Sequence, residues 1–259
     1  MGTKPRILIF DIETTPLLCY TWGTYQQDVI KVLEDWYILC FAYKWYGEKK
    51  THVVALPDYD LYDEDPKDDY AVVSELHRLF DEADIIVAHN ANKFDIKKTN
   101  ARFLKHKLGP VSDYKVVDTL VQSRRYFANT SHRLDKIGEE LELGRKIPHT
   151  GFKLWEDCMA GDEKAWRLMK RYNIQDVKLL EDVYRELLPW MKNHPNMNLY
   201  QETTEACPKC GSDNMQKNGI RTRKTSTNTY QEWKCNDCGG YCSTRVAEKR
   251  DKEDRIRFK

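Results

Sequence analysis

Four consecutive apolar residues, Ile7 to Phe10, predict a strand over residues 6–13 buried on both faces. The aromatic-rich WYILCFAYKWY at 36–46 predicts a second strand. THVVAL at 51–56 predicts a third after a Gly47–Lys50 turn, which makes a hairpin-type meander. Between the first two lies an irregular segment bearing Tyr20, Trp22 and Tyr25, and residues 57–70 have the acidic, proline-containing character of a surface loop. The period then changes. Val72, Val73, Leu76, Leu79 and Phe80 recur at helical spacing over 70–82. ADIIVAHN at 83–90 reads as a short buried strand, 95–107 as a helix carrying Ile96, Phe103 and Leu104, and YKVVDTL at 114–120 as a fifth strand running into a helix. A short amphipathic helix follows at 133–143. A long one spans 162–191 with Leu168, Met169, Tyr172, Leu179, Leu180 and Val183 on its stripe, its last turn weakened by Pro189. A strand meander followed by strands alternating with helices specifies a mixed α/β sheet flanked by helices.

Composition adds a boundary. Near residue 200 the chain shifts to Thr, Asn, Gly, Lys and Cys, which divides it into a main domain at 1–200, a small module at 201–247 and a charged tail at 248–259. The overall net charge of +1 singles out no partner, but residues 201–259 carry 13 basic and 9 acidic residues, leaving the first 200 mildly acidic. The run before Asp11 is too short for a signal-peptide core, and no segment approaches the ~18 apolar residues of a membrane span. A cytoplasmic protein with no membrane partner is expected. The eight cysteines agree, because three are scattered and five cluster between 207 and 242.

Three polar intrusions interrupt the apolar pattern. Alternate residues of a strand share a face, so Asp11 and Glu13 point together from the end of a buried strand. Such a pair repels unless a cation binds it or one member takes a proton, and hard oxygen ligands suit Mg²⁺ or Mn²⁺. Asp95 stands where the helix at 95–107 begins. By itself it reads equally as a residue of the helix's first turn. His89 and Asn90 close the preceding strand, His89 as a hydrogen-bonded structural histidine and Asn90 as a residue that could hold the loop. Tyr172 and Asp176 lie at i and i+4 on one apolar helix face, where a charge needs a partner that the neighbouring sequence does not offer.

These pieces resemble the motifs of the DEDD superfamily of 3′→5′ exonucleases, the DnaQ-like branch of the ribonuclease H-like fold. D-x-E is matched by Asp11 and Glu13, N-x-x-x-F-D by Asn90, Phe94 and Asp95, and Y-x-x-x-D by Tyr172 and Asp176, in the family's order over roughly residues 5–190. Arg171 stands where one subclass has histidine, and Tyr172 matches the tyrosine subclass, DEDDy, which is the type found in polymerase proofreading domains. The resemblance implies a ribonuclease H-like sheet and two divalent ions about 3.5–4 Å apart. In that scheme Asp11 bridges the ions, Glu13 and Asp176 complete one site, Asp95 serves the other, and Tyr172 orients the attacking water. It implies a nucleic-acid substrate, DNA ahead of RNA, with a separate polymerase or replication protein as a partner. Asp118 of VDTL reads either as a residue behind the site or as a helix cap. Trp22 and Tyr25 are candidates for stacking on bases, with packing of the loop onto the body as the alternative.

CPKCG at 207–211 and CNDCG at 235–239 form a C-x₂-C…C-x₂-C set with 24 residues between the pairs. Cys207, Cys210, Cys235 and Cys238 are expected to hold one structural Zn²⁺, and the module resembles a zinc ribbon. Cys242 is a spare that could replace Cys238. Between the pairs, Lys217, Arg221, Arg223 and Lys224 interleave with Tyr230 and Trp233, a composition suited to a nucleic-acid backbone and stacked bases. A solvated ribbon surface with Tyr230 and Trp233 as its small core, or a protein-docking ribbon, fits the same residues.

Overall fold

The computed structural model describes residues 4–25, 28–201, 205–244 and 246–247, so the expected tail at 248–259 lies outside the described residues. The chain divides into two compact units, Arg6–Tyr184 and a second formed by residues 1–5 and 185–259. Among the described residues no helix is long and apolar enough to cross a membrane.

The first unit begins with β1 (Ile7–Thr14), β2 (Leu18–Tyr20), β3 (Lys31–Glu34), β4 (Ile38–Trp45) and β5 (His52–Ala55). Then come α1 (Leu61–Glu64), α2 (Tyr70–Asp81), β6 (Ile85–Ala88), α3 (Asp95–Lys105), β7 (Lys115–Asp118), α4 (Thr119–Tyr126), α5 (Leu134–Glu140), α6 (Lys153–Met159) and α7 (Glu163–Leu187). Five strands form one sheet in the order β5-β4-β1-β6-β7. The β5–β4–β1 half is antiparallel and the β1–β6–β7 half parallel, as a meander followed by strand–helix alternation requires. The central β1 buries Leu8, Ile9 and Phe10 completely. On one face Phe10 meets Phe80 of α2 edge-on at 5.0 Å, and Phe80 meets Phe103 of α3 at 5.6 Å. On the other, α7 crosses the sheet. Its Glu181 pairs with Lys44, the register partner of Ile9, and its Asn173 reaches Asp11 on the same face. A fully buried Asp69 accepts the Ile38 amide at 2.9 Å and hydrogen bonds from Arg102 and His106, which ties the start of α2 to β4 and α3.

Four local expectations change. The aromatic segment after β1 is not irregular throughout: β2 and β3 pair as an antiparallel hairpin. The loop at 57–70 contains the single turn α1, and α6 is a helix that the apolar pattern does not mark. The last long helix ends at Leu187, and Pro189 sits in a 3₁₀ turn beyond it. The residue before a proline disfavours helical geometry, so the α-helical ladder stops short of it.

In the second unit, β8 (Met215–Lys224), β9 (Thr229–Cys235) and β10 (Tyr241–Ser243) form an antiparallel sheet in the order β10-β9-β8. Each Cys-x-x-Cys closes in a tight turn whose glycine takes a positive φ, Gly211 at 75° and Gly239 at 72°, a region that favours glycine. Gly211 donates its amide to the Cys207 carbonyl at 2.8 Å, and Gly239 to that of Cys235 at 3.0 Å.

Candidate active site

The end of β1 places Asp11 and Glu13 on one face, and α7 brings Asp176 to them. One carboxylate oxygen from each of the three falls within 4.8 Å of the others. Asp95, the first residue of α3, is 1% exposed and outside this triad. Burial, then the Asp11 charge, raises its pKa, and the neighbouring backbone amides of Asp95 and Ile12 pull it down. So Asp95 is both a helix-start residue and a member of the acidic cluster. Burial, then the Asp176 charge, pushes Asp11 up to about 7. Burial and the Asp11 and Asp176 charges push Glu13 well above the usual range. Burial and Asp11 do the same to Asp95. Like charges held in a dry place favour the protonated form, so the cluster invites protons or cations. Two of its buried oxygens, Asp95 Oδ1 and Asp176 Oδ1, have no hydrogen-bond partner.

Two residues that the sequence did not nominate complete the arrangement. Asn173 is fully buried and donates through Nδ2 to Asp11 Oδ2 at 2.7 Å, and it lies one step from Tyr172 on α7. Lys146, from the stretch between α5 and α6, pairs with Asp176 and donates to the Tyr172 hydroxyl at 3.1 Å. Burial raises Asp176 above its usual range, against the opposing pull of Lys146 and the Tyr172 hydroxyl. Burial and the Asp176 charge raise the Tyr172 phenol, so it keeps its proton at neutral pH. Its ring is fixed against His149 at 4.9 Å and Trp155 at 6.2 Å. Asn173 had a signal in the sequence, a buried amide in an apolar helical stripe. Lys146 had none, because it follows no periodicity.

The loop before Asp95 is shaped by Asp118. Its carboxylate accepts from the amides of Asn90 at 3.0 Å and Asn92 at 3.1 Å and also caps α4 through Leu120 and Val121, so both readings of Asp118 hold. Asn90 has φ = 71°, a conformation that asparagine tolerates, and this explains the residue type without a ligand. His89 bonds Thr119 Oγ1 at 2.9 Å and the His132 carbonyl at 3.0 Å, and burial pushes it down to about 4, so it is a neutral structural histidine.

A family model of the RNase_H superfamily matches residues 8–188. The chain belongs to that superfamily. Its fold is ribonuclease H-like, the fold of a family of nucleases that work on nucleic acid. The RNase H-superfamily chain is also similar in structure to the family B DNA polymerase from the hyperthermophilic archaeon Pyrobaculum calidifontis, with a TM-score of 0.51 and 20% identity. The match covers 73% of this chain and 25% of the polymerase chain, so this chain spans about a quarter of the polymerase's length. No curated protein sequence matches it.

In this RNase H-superfamily unit, Lys146 and Tyr172, the neighbours of Asp176, also line a groove of about 820 Å³ with Asn90, Arg124, Arg133 and His149, although none of the four carboxyls lines it. Phe94 stands at the cluster's entrance loop and is 36% exposed. Trp22 and Tyr25 are 90% and 85% exposed. The four hard carboxyls, with orphaned oxygens and one lysine, fit Mg²⁺ or Mn²⁺.

In the second unit, Cys207, Cys210, Cys235 and Cys238 bring their sulfurs within 4.8 Å of one another. Cys207 and Cys238 are 3.7 Å apart at sulfur, and Cys210 and Cys235 are 3.6 Å apart. A tetrahedron of Zn–S bonds of about 2.3 Å has edges of about 3.8 Å, so the set fits zinc. Cys242 is not a member of the four. Arg221, Arg223 and Lys224 are exposed on β8, while Trp233 is half-buried on β9 with Lys217 Nζ 5.8 Å from its ring centre.

Proposed function

We propose that this protein is a divalent-metal-dependent 3′→5′ exonuclease of the tyrosine subclass that hydrolyses phosphodiester bonds at single-stranded DNA ends. The observation that carries the reading is the convergence of Asp11, Glu13 and Asp176 with Asp95 beside them, in an environment that disfavours bare carboxylates. These four would hold two Mg²⁺ or Mn²⁺ ions, which supply charge against the phosphate and acidify a water. Asn173 fixes the Asp11 carboxylate. Tyr172, protonated and braced by its aromatic neighbours, donates a hydrogen bond that orients the water rather than acting as a base. Lys146 contributes a fixed positive charge next to where the scissile phosphate lies. The groove past Arg124 and Arg133 accepts the strand, and Trp22 and Tyr25 offer faces for frayed bases.

Likeness to part of a DNA polymerase supports DNA over RNA, and a separate polymerase or replication protein is the partner that such an activity suits. Within this reading residues 1–200 are the nuclease domain and 201–247 a ribbon built on one structural Zn²⁺ that helps engage the strand, in a cytoplasmic protein. The test uses 5′-labelled single- and double-stranded DNA and RNA with Mn²⁺. A ladder shortening from the 3′ end, strongest on single-stranded DNA, is expected. Internal cuts alone refute the exonuclease reading, and shortening of RNA alone moves the same chemistry to RNA processing.

A further inference from the structure

The two faces of the β8–β9–β10 sheet carry different chemistry. Opposed residues of antiparallel strands share a face. Arg223 opposite Tyr230, Glu232 opposite Ser243, and Lys234 opposite both Gln216 and Tyr241 therefore form one face. Trp233 opposite Lys217 and Cys242, and Lys224 opposite Thr229, form the other. The basic and aromatic residues that look like a single patch in the sequence are thus split, and Tyr230 and Trp233 do not share a core.

Against the first face lies a pocket of about 520 Å³, lined among others by Lys192, His194, Lys209, Arg223, Glu232 and Tyr241. Against the second lies one of about 610 Å³ whose charged lining residues are Glu205 and Asp213. The first holds three permanent cations against one carboxylate, and the second holds only acids. His194 adds no charge, because burial pushes it down to about 4 and its Nδ1 is engaged with the Pro195 carbonyl at 2.8 Å. Lys209 donates to the Pro189 carbonyl, which anchors its stem at the pocket wall. Arg223 is exposed and, among the described residues, makes no ion pair. Tyr241 is half-exposed, with Lys234 Nζ 6.0 Å from its ring centre. An uncommitted guanidinium fork, two ammonium groups and an accessible ring match a phosphate with its base.

We propose that this pocket binds a phosphodiester of a single nucleic-acid strand, with Arg223 gripping the phosphate and Tyr241 carrying the adjacent base. The choice of a nucleic acid over an acidic protein segment rests on the nuclease reading. Of the ribbon residues singled out in the sequence, Arg223 lines this pocket, while Lys217, Lys224 and Trp233 lie on the opposite face.

The test is fluorescence anisotropy of a labelled single-stranded oligonucleotide on the full chain carrying Asp11→Asn, so that the strand is not cut. Arg223→Glu on this background should weaken binding about tenfold, and the slope of log affinity against log salt should fall by about 0.7. Tyr241→Ala should weaken binding several-fold and leave the slope unchanged, Arg223→Lys should restore the slope, and Lys224→Glu should bind as the parent does. Should Arg223→Glu not fold, Lys192→Glu reports the same slope. Unchanged binding by the pocket variants, or equal loss in Lys224→Glu, overturns the proposal, as does selective loss of an acidic peptide instead of the oligonucleotide. Binding and hydrolysis are read separately. A chain that binds through Arg223 but never cuts refutes the nuclease reading alone, and a chain that cuts with Arg223→Glu binding intact refutes the pocket alone.

Discussion

Replacing Asp11 by Asn should make the metal-free protein more stable at pH 8, although it removes a residue proposed as essential. Burial and the Asp176 charge push the Asp11 carboxyl from 3.8 to about 7. A group whose folded pKa lies above its unfolded value binds its proton more tightly in the native state. Stability contributed in this way is present in acid and is lost as pH rises from about 4 to about 7. A rise of that size is worth about 4 kcal/mol between the protonated and ionised forms. The side chain is only partly shielded from solvent, so screening reduces this to about 2 kcal/mol. For a domain of this size, about 2 kcal/mol moves Tm by about 4–8 °C. Asn keeps the shape and can still meet Asn173, which donates to Asp11 at 2.7 Å.

The assay is thermal unfolding of wild type and Asp11→Asn in chelator-free, metal-free buffer at pH 4.5 and pH 8. The variant should melt several degrees higher at pH 8 and lose that advantage at pH 4.5. Millimolar Mn²⁺ should raise the wild-type Tm and reduce the gap, because a ligand that binds only the native state stabilises it. A variant less stable at pH 8, or a gain that does not depend on pH, refutes the claim that the carboxylates repel one another in the native state.

Tyr172→Phe should lower the hydrolysis rate about tenfold and leave the Mn²⁺-induced Tm rise intact, as measured on a labelled oligonucleotide. Lys146→Met should lower the rate by about 100-fold while tightening Mn²⁺ binding measured by calorimetry, since it removes a cation paired with Asp176. Trp22→Ala should weaken single-strand binding by about 1–3 kcal/mol at unchanged Tm, because the ring is 90% exposed. Cys207→Ser should release zinc in a chromogenic chelator assay and unfold the ribbon while the RNase H-superfamily unit keeps its own transition.

What the sequence makes legible follows from periodicity. Strands β1 and β4 have buried apolar runs, and α2 and α7 have stripes at helical spacing, so the pattern places them to within a few residues. The β2–β3 hairpin escapes because Leu18, Tyr20, Val32 and Leu33 are all exposed, so neither burial nor alternation marks its strands. Helix α6 escapes because in seven residues it buries only Leu154 and Cys158. In the site, spacing puts Asp11 with Glu13 on one strand face and Tyr172 with Asp176 on one helix face, but only the ordered motif set suggests that the two pairs belong together. The ordered motif set is needed to separate Asp95 from an ordinary first-turn aspartate. Lys146 becomes visible only once the chain folds, because nothing local ties a loop lysine to a helix 30 residues later.

The one-lysine count bears on the metal-binding role proposed for the cluster. Four carboxyls gather at the end of β1, and the only cation paired with them among the described residues is Lys146. A structural ion-pair network balances its charges, as Asp69 does with Arg102 and His106, where each Asp69 oxygen is satisfied. The β1 cluster does the opposite: it leaves Asp95 Oδ1 and Asp176 Oδ1 without partners and holds Asp11, Glu13 and Asp95 above their ordinary pKa. Uncompensated buried charge costs several kcal/mol per group in a folded protein. Asn173 pulls Asp11 down and the Ile12 amide pulls Asp95 down, but neither offsets burial and the neighbouring charges. The proposed function accounts for a fold that keeps mutually repelling carboxyls together with two buried oxygens unpartnered, since divalent cations would supply the balance that the chain leaves open.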